Sequence, residues 1–290
     1  MPHVTYVNGA YVPHADAAVH VEDRGYQFAD GVYEVIAIRH ARLVDEAGHW
    51  QRLDRSLREL RIAWPMSRLA LAMVTAEVVR RNRVRHGVVY LQITRGVAPR
   101  NHAFPKSVDS SLVVTARSTP PLDREAAPQG VDVVTLPDIR WKRCDIKSVS
   151  LLPNILGKQQ ALEKGAYEGW MIGPDGAVTE GTSSNAWIVT AKGELITRQT
   201  DDSVILAGIT RKTVMAVARS ERLKLVERPF TVKEALAGRE AFLTSTTSFV
   251  KPIVRIDGKK VGDGRVGPVS LNLFKLYGEY MDREVEVDSP

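Results

Sequence analysis

The chain has 290 residues, 44% hydrophobic and 26% charged, with 40 Lys plus Arg against 34 Asp plus Glu and a formal net charge of +6. Apolar residues recur throughout, which excludes extended disorder, and the length allows a sizeable core without disulfides or metals. A single cysteine, Cys144, excludes an intrachain disulfide and a cysteine-based metal site.

Residues 4–12 place Asn8-Gly9 between apolar runs, which predicts a β-hairpin. Residues 32–44 alternate and are rich in β-branched side chains, so they read as strands. Leu53, Leu57 and Leu60 share one face of a helix over 50–62, and Pro65 stops it. A second helix is predicted over 67–86, with Ser67 as N-cap and Gly87 placed to end it. Its last turn holds the longest basic cluster, Arg80 to His86, where positive charge meets the helix C-terminus. No nucleic-acid recognition motif accompanies that cluster, so no nucleic-acid partner is expected. Strands follow at 88–95 and 111–117. Residues 118–130 hold three prolines and no apolar periodicity. They read as a linker between a small N-terminal α/β domain (1–117) and a larger C-terminal domain (131–290).

Beyond the linker the pattern predicts a strand at 131–136 and a helix over 150–164 with Pro153 near its first turn. Strands flank the turn Gly173-Pro174-Asp175-Gly176, and a hairpin sits around Lys192-Gly193. Helices are expected at about 208–221 and 231–237, strands within 241–256, and a final helix over 268–282. Strands and helices mix without the regular alternation of a doubly wound sheet, so the class is α/β of the mixed, α+β kind. No stretch near the N-terminus has the pattern of a signal peptide, and no apolar run reaches the roughly 18 residues of a membrane span. The expected address is cytoplasmic, with no membrane partner.

Four local features bear on chemistry. Lys147 stands alone among residues that look buried or tightly turned. It is either a surface lysine with a buried stem, or a desolvated amine able to form a Schiff base. Thr179 to Asn185 sets Glu180 before a glycine and small polar residues, which suits a turn or a rigidly held carboxylate. Leu206 to Arg211 opens a helix, where free N–H groups and the Thr210 hydroxyl could bind phosphate. Thr244 to Ser248 is a run of five hydroxyl residues, either a solvated edge or a second set of phosphate donors. A lysine, a carboxylate and two phosphate-cradling turns are what pyridoxal 5′-phosphate requires.

The stretches EDRGYQFADGVYEV (22–35), QITRGVAPRNHAFP (92–105), DIRWKRCDIKS (138–148), VTEGTSSN (178–185), LAGITR (206–211) and TSTTS (244–248) together resemble the fold-type IV pyridoxal-phosphate enzymes. Within that group they are most similar to bacterial D-amino-acid aminotransferases. The resemblance implies a two-domain fold with the active site between the domains and the Schiff-base lysine, Lys147, in the C-terminal one. It implies that Glu180 faces the pyridine nitrogen and that Leu206 packs on the ring. Arg52, Ile209, Thr210, Thr246 and Thr247 are implied phosphate ligands, and Tyr33, Arg100 and His102 bind the substrate carboxylate. The implied enzyme is a homodimer with Arg100 and His102 supplied in trans. It transfers an amino group between a D-amino acid, such as D-alanine or D-glutamate, and 2-oxoglutarate or pyruvate, by a ping-pong mechanism and without a metal. An (R)-selective amine transaminase or a broad-specificity member is the alternative within the group, and a non-catalytic cofactor-binding protein the alternative outside it. Asn101 and Pro153 depart from the family pattern without removing a chemical role.

Overall fold

In the computed structural model, which describes residues 3–287, Asn8 and Gly9 take φ of 44° and 102°. Positive φ at both turn positions matches the twist of the flanking strands. The turn joins β1 (Val4–Val7) to β2 (Ala10–Pro13). Next come α1 (Arg24–Phe28), β3 (Gly31–Arg39), β4 (Arg42–Leu43), α2 (Glu46–Leu60), α3 (Arg68–Arg81), β5 (Gly87–Thr94) and β6 (Ser111–Ser118). They belong to the first of two compact units, and its six-stranded sheet runs in the order β2-β1-β6-β5-β3-β4. Every neighbouring pair in it is antiparallel. Alternation along β3 sends Val32, Ile36 and Ile38 into a core with Leu53 and Leu57 of α2 and Leu71 and Val78 of α3. Fully burying one such side chain contributes about 1.5–3 kcal/mol.

The second unit holds β7 (Val131–Pro137), α4 (Leu152–Glu163), β8 (Glu168–Ile172), β9 (Val178–Gly181), β10 (Asn185–Val189), β11 (Leu195–Thr197), α5 (Ile209–Ser220), β12 (Leu225–Glu227), α6 (Val232–Ala237), β13 (Glu240–Ser245), β14 (Phe249–Ile256), β15 (Lys259–Lys260) and most of α7 (Pro268–Val287). Its sheet runs β12-β11-β10-β13-β14-β7-β8-β9, with β15 on β14. Parallel pairs (β7 with β8 and β14, β11 with β12) mix with antiparallel ones. Trp170, Ile188, Phe230 and Leu243 lie in its core.

Two expectations need correction. The second unit begins at Leu122, within the proline-rich stretch, but Ile146–Ser150 and residues 281–287 group with the first unit. Lys147 therefore does not belong to the C-terminal unit. The reason is backbone pairing: Tyr33 N–H donates to Lys147 O at 3.0 Å and Val149 N–H donates to Gly31 O at 3.0 Å. Ile146 is also buried in the first core. Second, α3 ends at Arg81 with Asn82 as its C-cap, and Gly87 opens β5 instead of ending the helix. A Cβ at Gly87 would meet Arg117 O at 2.1 Å, so strand packing requires glycine there. The short helix α1, capped by the Asp23 carboxylate accepting from Gly25 N–H, has no periodic signal in the sequence. Among the described residues, no helix is long and apolar enough to cross a membrane, and no group of His, Cys, Asp and Glu is placed to hold a metal ion.

Candidate functional site

In the first unit, Lys147 and Tyr33 come together. The stretch carrying Lys147 lies along the open edge of β3, through the bridge between Val32 and Ser148 and the two backbone bonds above. Lys147 N–H donates to Ser56 Oγ at 3.2 Å. Its Nζ lies 4.2 Å from the centroid of the Tyr33 ring. A charged amine over an aromatic face is attracted by the ring quadrupole. Tyr33 in turn packs against Tyr90, ring centroids 5.7 Å apart.

Arg100 and His102 lie on the exposed loop that follows β5. Both flank one ring. The Arg100 guanidinium carbon is 4.8 Å from the Phe28 centroid, and the His102 ring is 5.4 Å from it.

Arg52 lies on α2, one turn before Ser56. Its Nε and a terminal nitrogen donate to the Glu34 carboxylate at 2.8 and 2.7 Å. Glu34 follows Tyr33 in β3, so the two side chains leave the sheet on opposite faces. His49 Nδ1 is 2.7 Å from the same carboxylate. Burial works to raise the Glu34 carboxyl, but the charges and hydrogen bonds of Arg52 and His49 hold it down at about 2. Burial pushes His49 down, against the pull of Glu34. Arg52 is the residue for which the resemblance implies a phosphate-binding role. A buried guanidinium requires a counter-charge within the fold, and Glu34 supplies it.

In the second unit, Glu180, Leu206 and the start of α5 form one cluster. The buried Glu180 carboxylate accepts from Leu206 N–H at 3.2 Å, from Asn185 Nδ2 at 2.9 Å and from the Arg140 guanidinium. Asn185 Nδ2 also donates to Leu206 O at 3.0 Å. A Cβ on Gly208 would lie 2.0 Å from Asn185 Oδ1, so the helix start can approach this closely only as glycine. Gly208 is the N-cap of α5 and provides no capping side chain. The first N–H groups of α5 thus keep their polarity for an acceptor, beside the buried Ile209 and Thr210. Thr246 and Thr247 lie in the turn between β13 and β14. β13 ends beside the start of β10, since Thr244 is the Cα partner of Asn185. The hydroxyl-rich turn and the glycine-led helix therefore meet at one end of this sheet.

Arg140 escaped the sequence reading. It is buried, donates to Asp138 at 2.9 and 2.7 Å and touches Glu180. Burial alone would lower its pKa, but Glu180 and Asp138 outweigh that and raise it. Burial raises the Glu180 carboxyl, which Arg140 and the Leu206 N–H offset only in part. The acid-x-basic pattern Asp138-Ile139-Arg140 was the available signal. Thr182, Ser183 and Ser184 do not bond among themselves. Their hydroxyls donate to the Glu168 carboxylate on β8 at 2.9, 2.9 and 2.8 Å, which anchors the turn between Glu180 and Asn185.

Residues 31–256 match the model of the family described as amino-transferase class IV. The D-alanine aminotransferase of Bacillus licheniformis is 42% identical over 92% of this chain and 93% of its own length. That of Staphylococcus haemolyticus is 36% identical over 96% and 97%. Among solved structures, the branched-chain amino acid aminotransferase of T.th. with pyridoxamine 5′-phosphate superposes with a TM-score of 0.89 at 25% identity. That match covers 99% of this chain and 96% of the other. These likenesses agree with the mixed α/β class and with the resemblance found in the motifs, and the chain belongs to the class IV aminotransferases.

Proposed function

We propose that the protein transfers the amino group of a D-amino acid, such as D-alanine or D-glutamate, to 2-oxoglutarate or pyruvate, with pyridoxal 5′-phosphate as cofactor. The observation that carries the reading is the Lys147 amine, placed over the Tyr33 ring in a chain whose relatives, matched over nearly their whole length, are D-alanine aminotransferases. Each unit by itself offers residue types that suit the cofactor. One unit offers an amine; the other offers a buried carboxylate, a helix start without a side-chain cap, and hydroxyls at Thr210, Thr246 and Thr247.

In this reading Lys147 holds the cofactor, and its freed Nζ moves a proton away from the substrate Cα. Glu180, fixed by Arg140 and Asn185, holds a proton on the ring nitrogen. Leu206 packs on the ring. The N–H groups of Ile209 and Thr210 and the hydroxyls of Thr246 and Thr247 bind the phosphate, with Arg52 adding positive charge. The bound cofactor supplies an electron sink for the charge that develops at Cα. Tyr33, Arg100 and His102 bind the substrate carboxylate, which fixes the face presented to Lys147.

The working form is proposed to be a homodimer with Arg100 and His102 supplied in trans. Helix α4 exposes Leu152, Ile155, Leu156 and Leu162, an apolar face that a second copy would cover. Mixing inactive Lys147→Ala with inactive Arg100→Ala then restores part of the activity. No recovery after proven subunit exchange refutes the trans arrangement. The substrate assignment is tested with a panel of D- and L-amino acids against 2-oxoglutarate and pyruvate, read by cofactor absorbance. Turnover confined to D-amino acids is expected. A preference for L-amino acids or for amines without a carboxylate would overturn it.

A further inference from the structure

We propose that Arg24, acting through Phe28, is a positioning residue for the substrate carboxylate: it holds the loop that presents Arg100 and His102. The inference rests on the carboxylate-binding reading of those two residues. Both side chains are exposed, so their own burial does not orient them. Arg24 is 3% exposed and opens α1. One terminal nitrogen donates to Asn101 O at 2.5 Å and the other reaches His102 O at 3.5 Å. The same guanidinium lies 4.8 Å from the centroid of Phe28, the ring that Arg100 and His102 flank. One side chain therefore fixes the backbone of the loop at two successive carbonyls and supports the ring against which its functional groups rest.

Arg24 is itself anchored. Its Nε donates to Asp30 Oδ2 at 2.9 Å, and Arg95 donates to both Asp30 oxygens at 2.7 and 2.9 Å. Burial works to raise the Asp30 carboxyl, but the two arginines lower it. Arg95 also donates to Leu60 O and Arg61 O, at 2.7 and 2.9 Å, and lies 3.6 Å from the Phe104 centroid. Two arginines sharing one carboxylate thus hold the loop at Asn101, His102 and Phe104. Arg24 N–H donates to Gly96 O at 2.9 Å, which ties α1 to the loop's entry. Asp30 directly precedes Gly31, where β3 begins on its way to Tyr33. A planar fork can serve Asp30 and two carbonyls at once, whereas a lysine ammonium offers no such fixed geometry.

The test uses holoenzyme of the wild type, Arg24→Lys, Phe28→Leu and Arg100→Ala. The single-turnover reaction with D-alanine and with D-alaninamide is followed by cofactor absorbance. Arg24→Lys keeps a positive charge for Asp30, and Phe28→Leu keeps an apolar side chain, so one variant remains informative if the other fails to fold. Both are expected to raise the half-saturating D-alanine concentration about tenfold, equivalent to about 1.4 kcal/mol. The limiting rate should stay within about threefold of wild type and the response to D-alaninamide should change little, which a general structural defect would not produce. Amide hydrogen exchange over 97–105 should also accelerate in Arg24→Lys without change in the second unit. If Arg100→Ala weakens D-alanine selectively and neither Arg24→Lys nor Phe28→Leu does, the positioning role is refuted while the carboxylate reading stands. If Arg100→Ala itself loses nothing selective for the carboxylate, that reading fails and takes this inference with it.

Discussion

Replacing Glu34 with Gln removes one negative charge from a fully buried ion pair while keeping the side chain's shape. Glu34 is 0% exposed and accepts from Arg52 at 2.8 and 2.7 Å, with His49 at 2.7 Å. Its carboxyl is lowered from 4.5 to about 2, because the charge and hydrogen bonds of Arg52 and the hydrogen bond of His49 outweigh burial. A lowering of that size corresponds to about 3 kcal/mol of stability. Breaking a buried pair by removing one partner typically costs about 3–5 kcal/mol, so two independent routes give the same magnitude. Because the folded-state value is depressed, the contribution is complete above the unfolded value near 4.5. It is lost as pH falls from there through about 2. Urea unfolding of wild type and Glu34→Gln, in excess cofactor, should show a gap of about 3 kcal/mol near pH 7 that narrows to about half of that near pH 3. A gap below about 1 kcal/mol at neutral pH, or one that does not narrow in acid, would mean that Arg52 finds its counter-charge elsewhere.

Lys147→Ala should abolish transamination, and borohydride reduction of wild-type holoenzyme followed by peptide mapping should label Lys147; label on another lysine refutes the assignment. Glu180→Gln should fold but turn over roughly tenfold to a hundredfold more slowly, since a charge-assisted hydrogen bond is worth about 1.5–3 kcal/mol. Undiminished kcat would contradict its role at the ring nitrogen. Gly208→Ala places a Cβ 2.0 Å from Asn185 Oδ1, which displaces the residue that ties Glu180 to the start of α5. Cofactor titration by absorbance should show binding weakened about tenfold, or about 1.4 kcal/mol. An unchanged half-saturation would show that the helix start does not hold the phosphate.

Local patterns predict most elements because they depend on neighbours a few residues apart. Asn8-Gly9 codes for a turn with two positive φ values and takes them. Leu53 and Leu57 repeat at helical spacing and are fully buried. Ser67 caps α3, its side chain accepting from Ala70 N–H. Most of the proposed cofactor-binding residues of the second unit were legible in the same way, as short polar turns next to strands and a helix start.

Partners distant in sequence were not legible. Periodicity specifies which face a side chain takes, but not which strand or counter-charge it meets. Lys147 joins β3, more than a hundred residues upstream, through backbone bonds that any residue at its position could make. The linker at 118–130 therefore pointed to the wrong unit for it. Arg52 gives no sign in the sequence that Glu34 is its counter-charge, and Arg140 gives no sign that its partner is Glu180. A buried charge takes whichever opposite charge the packed chain brings within about 3 Å, because leaving it unpaired costs several kcal/mol. The assembled tertiary contacts make that choice, and they also set the arginine pair that holds the Arg100–His102 loop.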